Sequence, residues 1–191
     1  VAANKNTLVS VSKPGASASF SFETDSIDPV IQYHNIVDMI ANRDERPAIK
    51  VYGNGRVQVH HPVYKKNAGD YEMQLSQQEL ILLLETFAND GLMDFDSAKT
   101  NQHKQTIDNA LKKQGKLYHI SDSVTTHIII NLKGYKSSKT NIQQNNFKKH
   151  IRLKNIEHDV KHYKTIGEIQ KAGNSIGKLR SLLNRDELNR K

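Results

Sequence analysis

The sequence predicts an α+β fold: an antiparallel sheet packed against one main amphipathic helix, followed by a basic, helical C-terminal part. Three observations predict it. Ala48–Tyr52 and Arg56–His60 alternate apolar and polar residues around Asn54-Gly55, which reads as a hairpin. Ser76 to Asn89 carries a Ser-x-x-Glu capping box and an apolar stripe of Leu80, Leu83, Leu84, Phe87 and Ala88, ended by Gly91. Val124–Lys133 alternates again, with Val124, Thr126, Ile128, Ile130 and Leu132 on one side and Thr125, His127, Ile129 and Asn131 on the other.

The remaining elements follow from the same periodicities. Residues 1–16 are small and polar and predict a loose or partly paired N-terminal segment. The core domain then spans 17–135, and 136–191 is a basic, mainly helical part packing on the same domain. Ala18–Glu23 places Phe20 and Phe22 on one strand face, and Asp28-Pro29 marks a turn. Val30 to Ala41 reads as a short helix with Ile36, Val37 and Ile40 inward. Asn54 and Gly55 both tolerate positive φ and are the expected centre of a two-residue turn; Pro62 limits the strand before it. Asp70–Leu75 alternates Tyr71, Met73 and Leu75 as a further strand. Thr100–Gln114 offers only Ile107, Ala110 and Leu111 at helical spacing, a marginal helix or an excursion. Lys116–Ile120 reads as a strand, Gly134 as the end of the next one, and Ser137–Asn146 as a loop. Ile156, Val160, Tyr163, Ile166 and Ile169 turn the pattern helical, Gly173-Asn174 breaks it, and Ile176, Leu179, Leu182 and Leu183 mark a final helix.

A chain of 191 residues is long enough to bury a core without metal or disulfides. Cysteine is absent, which excludes thiol catalysis and cysteine-based zinc sites. No apolar run reaches the roughly 18 residues of a membrane span. The start at Val1-Ala2-Ala3, without Met, suits a mature exported protein, so the expected location is periplasmic or secreted.

The hairpin and helix also carry a resemblance. Pro47-Ala48-Ile49-Lys50-Val51-Tyr52-Gly53-Asn54-Gly55-Arg56-Val57, then Leu75-Ser76-Gln77-Gln78-Glu79-Leu80, then Phe95, resemble a group of small exported bacterial α+β domains of unknown function. Asp122, Thr125 and Thr126 match an Asp-x-x-Thr element of that group. The resemblance covers roughly residues 46–135. The cysteine that often precedes the Pro is missing here, and the basic C-terminal third has no counterpart. What it implies is an exported domain with no assigned activity.

Charge is the strongest functional signal. Residues 1–98 carry a net −5 and residues 99–191 a net +13, summing to the chain's +8. No acidic residue lies between Asp122 and Glu157, while Lys133, Lys136, Lys139, Lys148, Lys149, Arg152 and Lys154 all do. Such asymmetry predicts an anionic partner: lipid headgroups, lipopolysaccharide or an acidic protein. A solvated basic surface is the plain alternative reading of the same charge. Nucleic acid fits less well, because the segment holds only Tyr135 and Phe147 for stacking and shows no recognition motif.

Catalytic motifs are sparse. His158 and His162 stand one helical turn apart but lack the zincin Glu and sit beside Lys161 and Lys164, so they read as surface histidines. His60 and His61 point to opposite faces of a strand. Ser10–Lys13 and Ser175–Lys178 match Ser-x-x-Lys at its chance frequency, with no Lys-Thr-Gly beside them. Asp94 and Asp96 read as a helix-terminal acidic loop. No cofactor or metal is expected, and the balance points away from an enzyme. A hydrolase with a site assembled only in three dimensions and a nucleic-acid binder stand as the alternatives.

Overall fold

A computed structural model describes residues 7–12, 18–37, 44–116 and 123–191. Among the described residues, nine antiparallel strands and four helices make the α+β architecture. The strands are β1 (Leu8–Val11), β2 (Ser19–Glu23), β3 (Ile31–Val37), β4 (Ile49–Val51), β5 (Arg56–His61), β6 (Gly69–Gln74), β7 (Val124–Lys136), β8 (Gln143–Lys154) and β9 (Asn189–Arg190). The helices are α1 (Gln77–Asn89), α2 (Ser97–Lys113), α3 (Ile156–His162) and α4 (Gly167–Ser181), the last continued by a 3-10 turn at Leu182–Asn184.

The sheet runs β1-β2-β7-β3-β4-β5-β6-β9, with β8 paired to β7. β7 organises it. Residues 124–130 of β7 pair with β3 and residues 134–136 with β2, while β8 pairs along 125–136. β2 and β3 thus share one edge of β7 and β8 takes the other. One face is apolar: Phe20, Phe22, Ile31, Tyr33, Ile49, Val51, Val57, Val59, Ile128, Ile130 and Ile151 are all buried. Over it lie Leu80, Leu84 and Phe87 of α1 and Ile169, Ile176 and Leu179 of α4, in one continuous core. The sheet therefore packs against two helices rather than α1 alone, and the C-terminal part contributes to the same core as the hairpin.

α1 starts and stops as its sequence dictates. Ser76 Oγ accepts from the Glu79 amide at 3.2 Å, and Glu79 Oε2 accepts from the Ser76 amide at 2.8 Å. At the other end Gly91, at φ +74°, lets Leu92 N–H reach the Phe87 carbonyl and Gly91 N–H reach that of Ala88. Replacing Ser76 by Ala removes the cap and is expected to cost about 1 kcal/mol, read as a lower urea midpoint with unchanged slope.

The N-terminal segment is partly paired: Leu8–Val11 pairs with Phe20–Glu23. Several other expectations need correction. Val30 to Ala41 is not a helix over its described part; Ile31–Val37 is β3, because Ile31 and Tyr33 alternate onto the core face and β4 and β7 flank them. Residues 38–41 lie outside the described residues, as do 117–120 of the strand expected at Lys116–Ile120 and Asp122 of the Asp-x-x-Thr element. The hairpin turn has three residues, not two. Tyr52 O accepts from Gly55 N, Tyr52 N donates to Arg56 O, and only Gly55 has positive φ.

Thr100–Gln114 belongs to a full helix of 17 residues, N-capped by Asp96, whose side chain accepts from Ala98 and Lys99. Its stripe is thin because only Thr100 is buried, and Lys104–Asp159 and Tyr163–Asp108 contacts dock it instead. Gly134 does not end β7, which continues to Lys136 against β2 and β8. The loop expected to Asn146 closes at Ile142, and Gln143–Lys154 is a strand, so the basic part opens with a strand before its helices. Gly173-Asn174 does not break α4. A Cβ at Gly173 would lie 2.4 Å from Val160 Cγ2, so the missing side chain is what lets α3 pack on α4.

A candidate anion-binding face on the outer side of the sheet

The face of the sheet turned from the helices is polar. Along β8 residues alternate: Phe147, Ile151 and Leu153 are buried among the helices, and Lys148, His150, Arg152 and Lys154 are exposed. Their cross-strand partners on β7 are Asn131, Ile129, His127 and Thr125 respectively. β7 and β8 together hold no Asp or Glu. Lys148, Arg152 and Lys154 have no ion-pair partner among the described residues.

The other four cations of the expected set do not join them. Lys133 is bound to Glu23 at 3.1 Å. Lys136 sits half-buried where β7 meets β2 and Gln143. Lys139 lies in the turn after β7, beside Gly91 in a cleft that also holds Asp90, Asp94 and Asp96. Lys149 alternates onto the opposite side of β8 from Lys148 and is half-buried. Sequence proximity grouped seven cations; three of them stand exposed and without an ion-pair partner among the described residues, in one row on β8.

Histidines complete that surface. His127 Nδ1 lies 3.0 Å from His150 Nε2, with ring centres 5.3 Å apart. His34 is the register partner of His127 on β3. All three are held below the ordinary histidine range, by burial first. Next come His150 and Arg152 for His127, and Arg152 and Lys148 for His150. For His34, the Arg46 backbone, Asp44 and Glu45 oppose the drop. Three neutral imidazoles, one within the cation row of β8 and two on the strands beside it, therefore accompany the three cations at neutral pH. Lys148, His150 and Arg152 alternate at strand spacing, a signal that could have found the cluster, but the elements expected from sequence include no strand there.

The other charged groups are spent on structure. His60 is clamped between Asp44 at 2.7 Å and Asp70 at 2.5 Å, so both ring nitrogens are occupied. Arg46 holds Asp44 well below the carboxylate range. His61 points to the other face, edge-on to Tyr71. Asp94 accepts from Tyr135 at 2.7 Å, Asp96 caps α2, and Asp90 accepts from Asn174 and Ser175. His158 is exposed, and His162 faces Asp108 and the Tyr163 ring. Among the described residues no three His, Asp or Glu groups gather as metal ligands, and no helix is long and apolar enough to cross a membrane.

Fold and face together define a two-layer α+β protein with one helix-covered and one polar sheet surface. Comparison with known protein families, with curated proteins and with solved structures gives no match.

Proposed function

We propose that this chain is a non-enzymatic binding domain of an exported bacterial protein, contacting an anionic partner through the outer side of β7 and β8. The observation that carries the reading is the row Lys148, Arg152 and Lys154, exposed on one face of two paired strands without an acidic residue. The favoured partner is a surface dense in phosphate or carboxylate, such as anionic lipid headgroups, lipopolysaccharide or an acidic protein. Export rests on the resemblance described above.

A Lys or Arg near an anionic bilayer contributes roughly 1 kcal/mol, so three together give on the order of a hundredfold in partitioning at low salt. The triple variant Lys148→Gln/Arg152→Gln/Lys154→Gln should lose that factor on vesicles of anionic phospholipid. The parent should lose the same factor when salt is raised and the Debye length contracts. Equal partitioning of parent and triple variant at low salt removes this reading. Retention on an acidic protein column but not on vesicles assigns the partner to protein.

A further inference from the structure

Where β3 and β5 end and β7 begins, beside α3 and the last turn of α4, lies an open cleft of about 460 Å³. That is within the size range of small-molecule sites. Its walls mix polar and apolar groups, and Tyr33 of β3 is among them. The Tyr33 ring belongs to the core at 1% exposure, yet its hydroxyl has no hydrogen-bond partner among the described residues. Asn35, whose Oδ1 accepts from the Thr126 hydroxyl at 2.8 Å, lies close enough to favour the ionised phenol, but it does not meet the hydroxyl in hydrogen-bonding geometry. Burial pushes the Tyr33 phenol up to about 12, so it keeps its proton and acts as a donor throughout the physiological range. A buried donor left without an acceptor lowers stability, and native folds keep few of them.

The charge around this donor indicates what would satisfy it. Arg180 exerts the largest Coulombic effect on the Tyr33 hydroxyl and favours negative charge there; Glu157 acts in the opposite sense. Arg180 and Glu157 pair with each other at the cleft wall, both well exposed at 41% and 60%. Glu157 is thus a solvent-exposed carboxylate held on a guanidinium that a second carboxylate could take over. Ile156 and Leu183 supply an apolar side to the same cleft.

We propose that this cleft binds a small organic carboxylate, whose oxygens replace Glu157 on Arg180 and accept from the Tyr33 hydroxyl while its apolar part lies against Ile156 and Leu183. The site is separate from the cations of β8 and does not depend on them.

Benzoate, with neutral benzamide as its control, tests the assignment by thermal shift and by the amide resonances of Tyr33 and Arg180. Benzoate should raise the melting temperature, and benzamide should not. Glu157→Gln removes the competing carboxylate and should tighten benzoate binding several-fold. Arg180→Gln, a change at an exposed side chain, should weaken it about tenfold or more. Tyr33→Phe should melt about 2–4 °C higher than the parent without ligand, because the unsatisfied hydroxyl is gone, and should bind benzoate about tenfold more weakly. The proposal is overturned if benzoate shifts neither the parent nor Glu157→Gln at millimolar concentration. It is also overturned if Arg180→Gln binds as the parent does, a result readable even if Tyr33→Phe fails to fold.

Discussion

Gly55→Ala is expected to destabilise the fold by about 2–5 kcal/mol, from roughly 1–2 for the left-handed backbone and 1–3 for the steric conflict. The residue stands at φ +85°, where an L side chain is strained. A Cβ there would also meet the Leu75 carbonyl oxygen at 2.3 Å, backbone that cannot swing aside as a side chain can. That carbonyl is fixed because Leu75 N donates to Gly55 O at 2.9 Å, and Gln74 Nε2 reaches Asn54 O at 2.6 Å. The β4–β5 turn is thus clamped to the residues that lead into α1, and the new methyl would break the clamp or bend the hairpin. Gly177→Ala is the matched control: exposed in the interior of α4 with nothing within 4 Å, it should gain about 0.5–1 kcal/mol from helix propensity. Urea midpoints of the two variants should move in opposite directions. A Gly55→Ala variant as stable as the parent would show that the turn does not need its present geometry.

The parts of this fold legible in the sequence are those where a local cause suffices. Ser76 and Glu79 make a capping box with atoms three residues apart, and Gly91 stops α1 with its own backbone. The Val124–Leu132 alternation sits on β7 because that strand is central and one-sided. Elements set by long-range pairing were harder to read. Gln143–Asn145 has weak strand propensity and is held extended by β7, across the turn at 137–142. Ile31–Val37 presents apolar residues that suit either period, and its two neighbours decide for the strand. Gly173 looks like a helix breaker until Val160 is placed against it.

The same distinction governs the surface. The charge imbalance was visible as composition, but which cations act together depends on the pleat of a strand that composition does not reveal. Lys148 and Lys149 are neighbours in sequence and lie on opposite sides of β8, while His127 and His150 are 23 residues apart and touch. Tyr33 gave no signal as a functional residue, since its ring reads as core; only the missing partner of its hydroxyl, next to Arg180, distinguishes it.

Acidification should weaken the fold in two separable stages. His34, His61, His127 and His150 all titrate below the ordinary histidine value in the native state, with burial the leading cause each time. The unfolded chain, with histidines near about 6.5, takes up those protons first. Stability is therefore fully present above that value and falls as pH drops through about 6.5 toward the native values. Each such proton steepens the fall by up to about 1.4 kcal/mol per pH unit, less for the exposed His150. The second stage belongs to Asp44, Asp70 and Glu79, held below the carboxylate range by Arg46, by His60 and by the Ser76 amide respectively. Their contribution is present above about 4 and is lost as pH falls through the native values. Melting temperature against pH should show both stages, and His127→Gln/His150→Gln should flatten the first while leaving the second. A double variant that tracks the parent between about pH 7 and 5 would place the proton uptake elsewhere. An anion seated on Lys148, Arg152 and Lys154 stabilises the charged imidazoles beside them. By linkage, retention on an anionic surface should therefore strengthen across the same interval in which the unliganded fold weakens. The double variant should lose that strengthening while keeping the three cations and their binding at neutral pH.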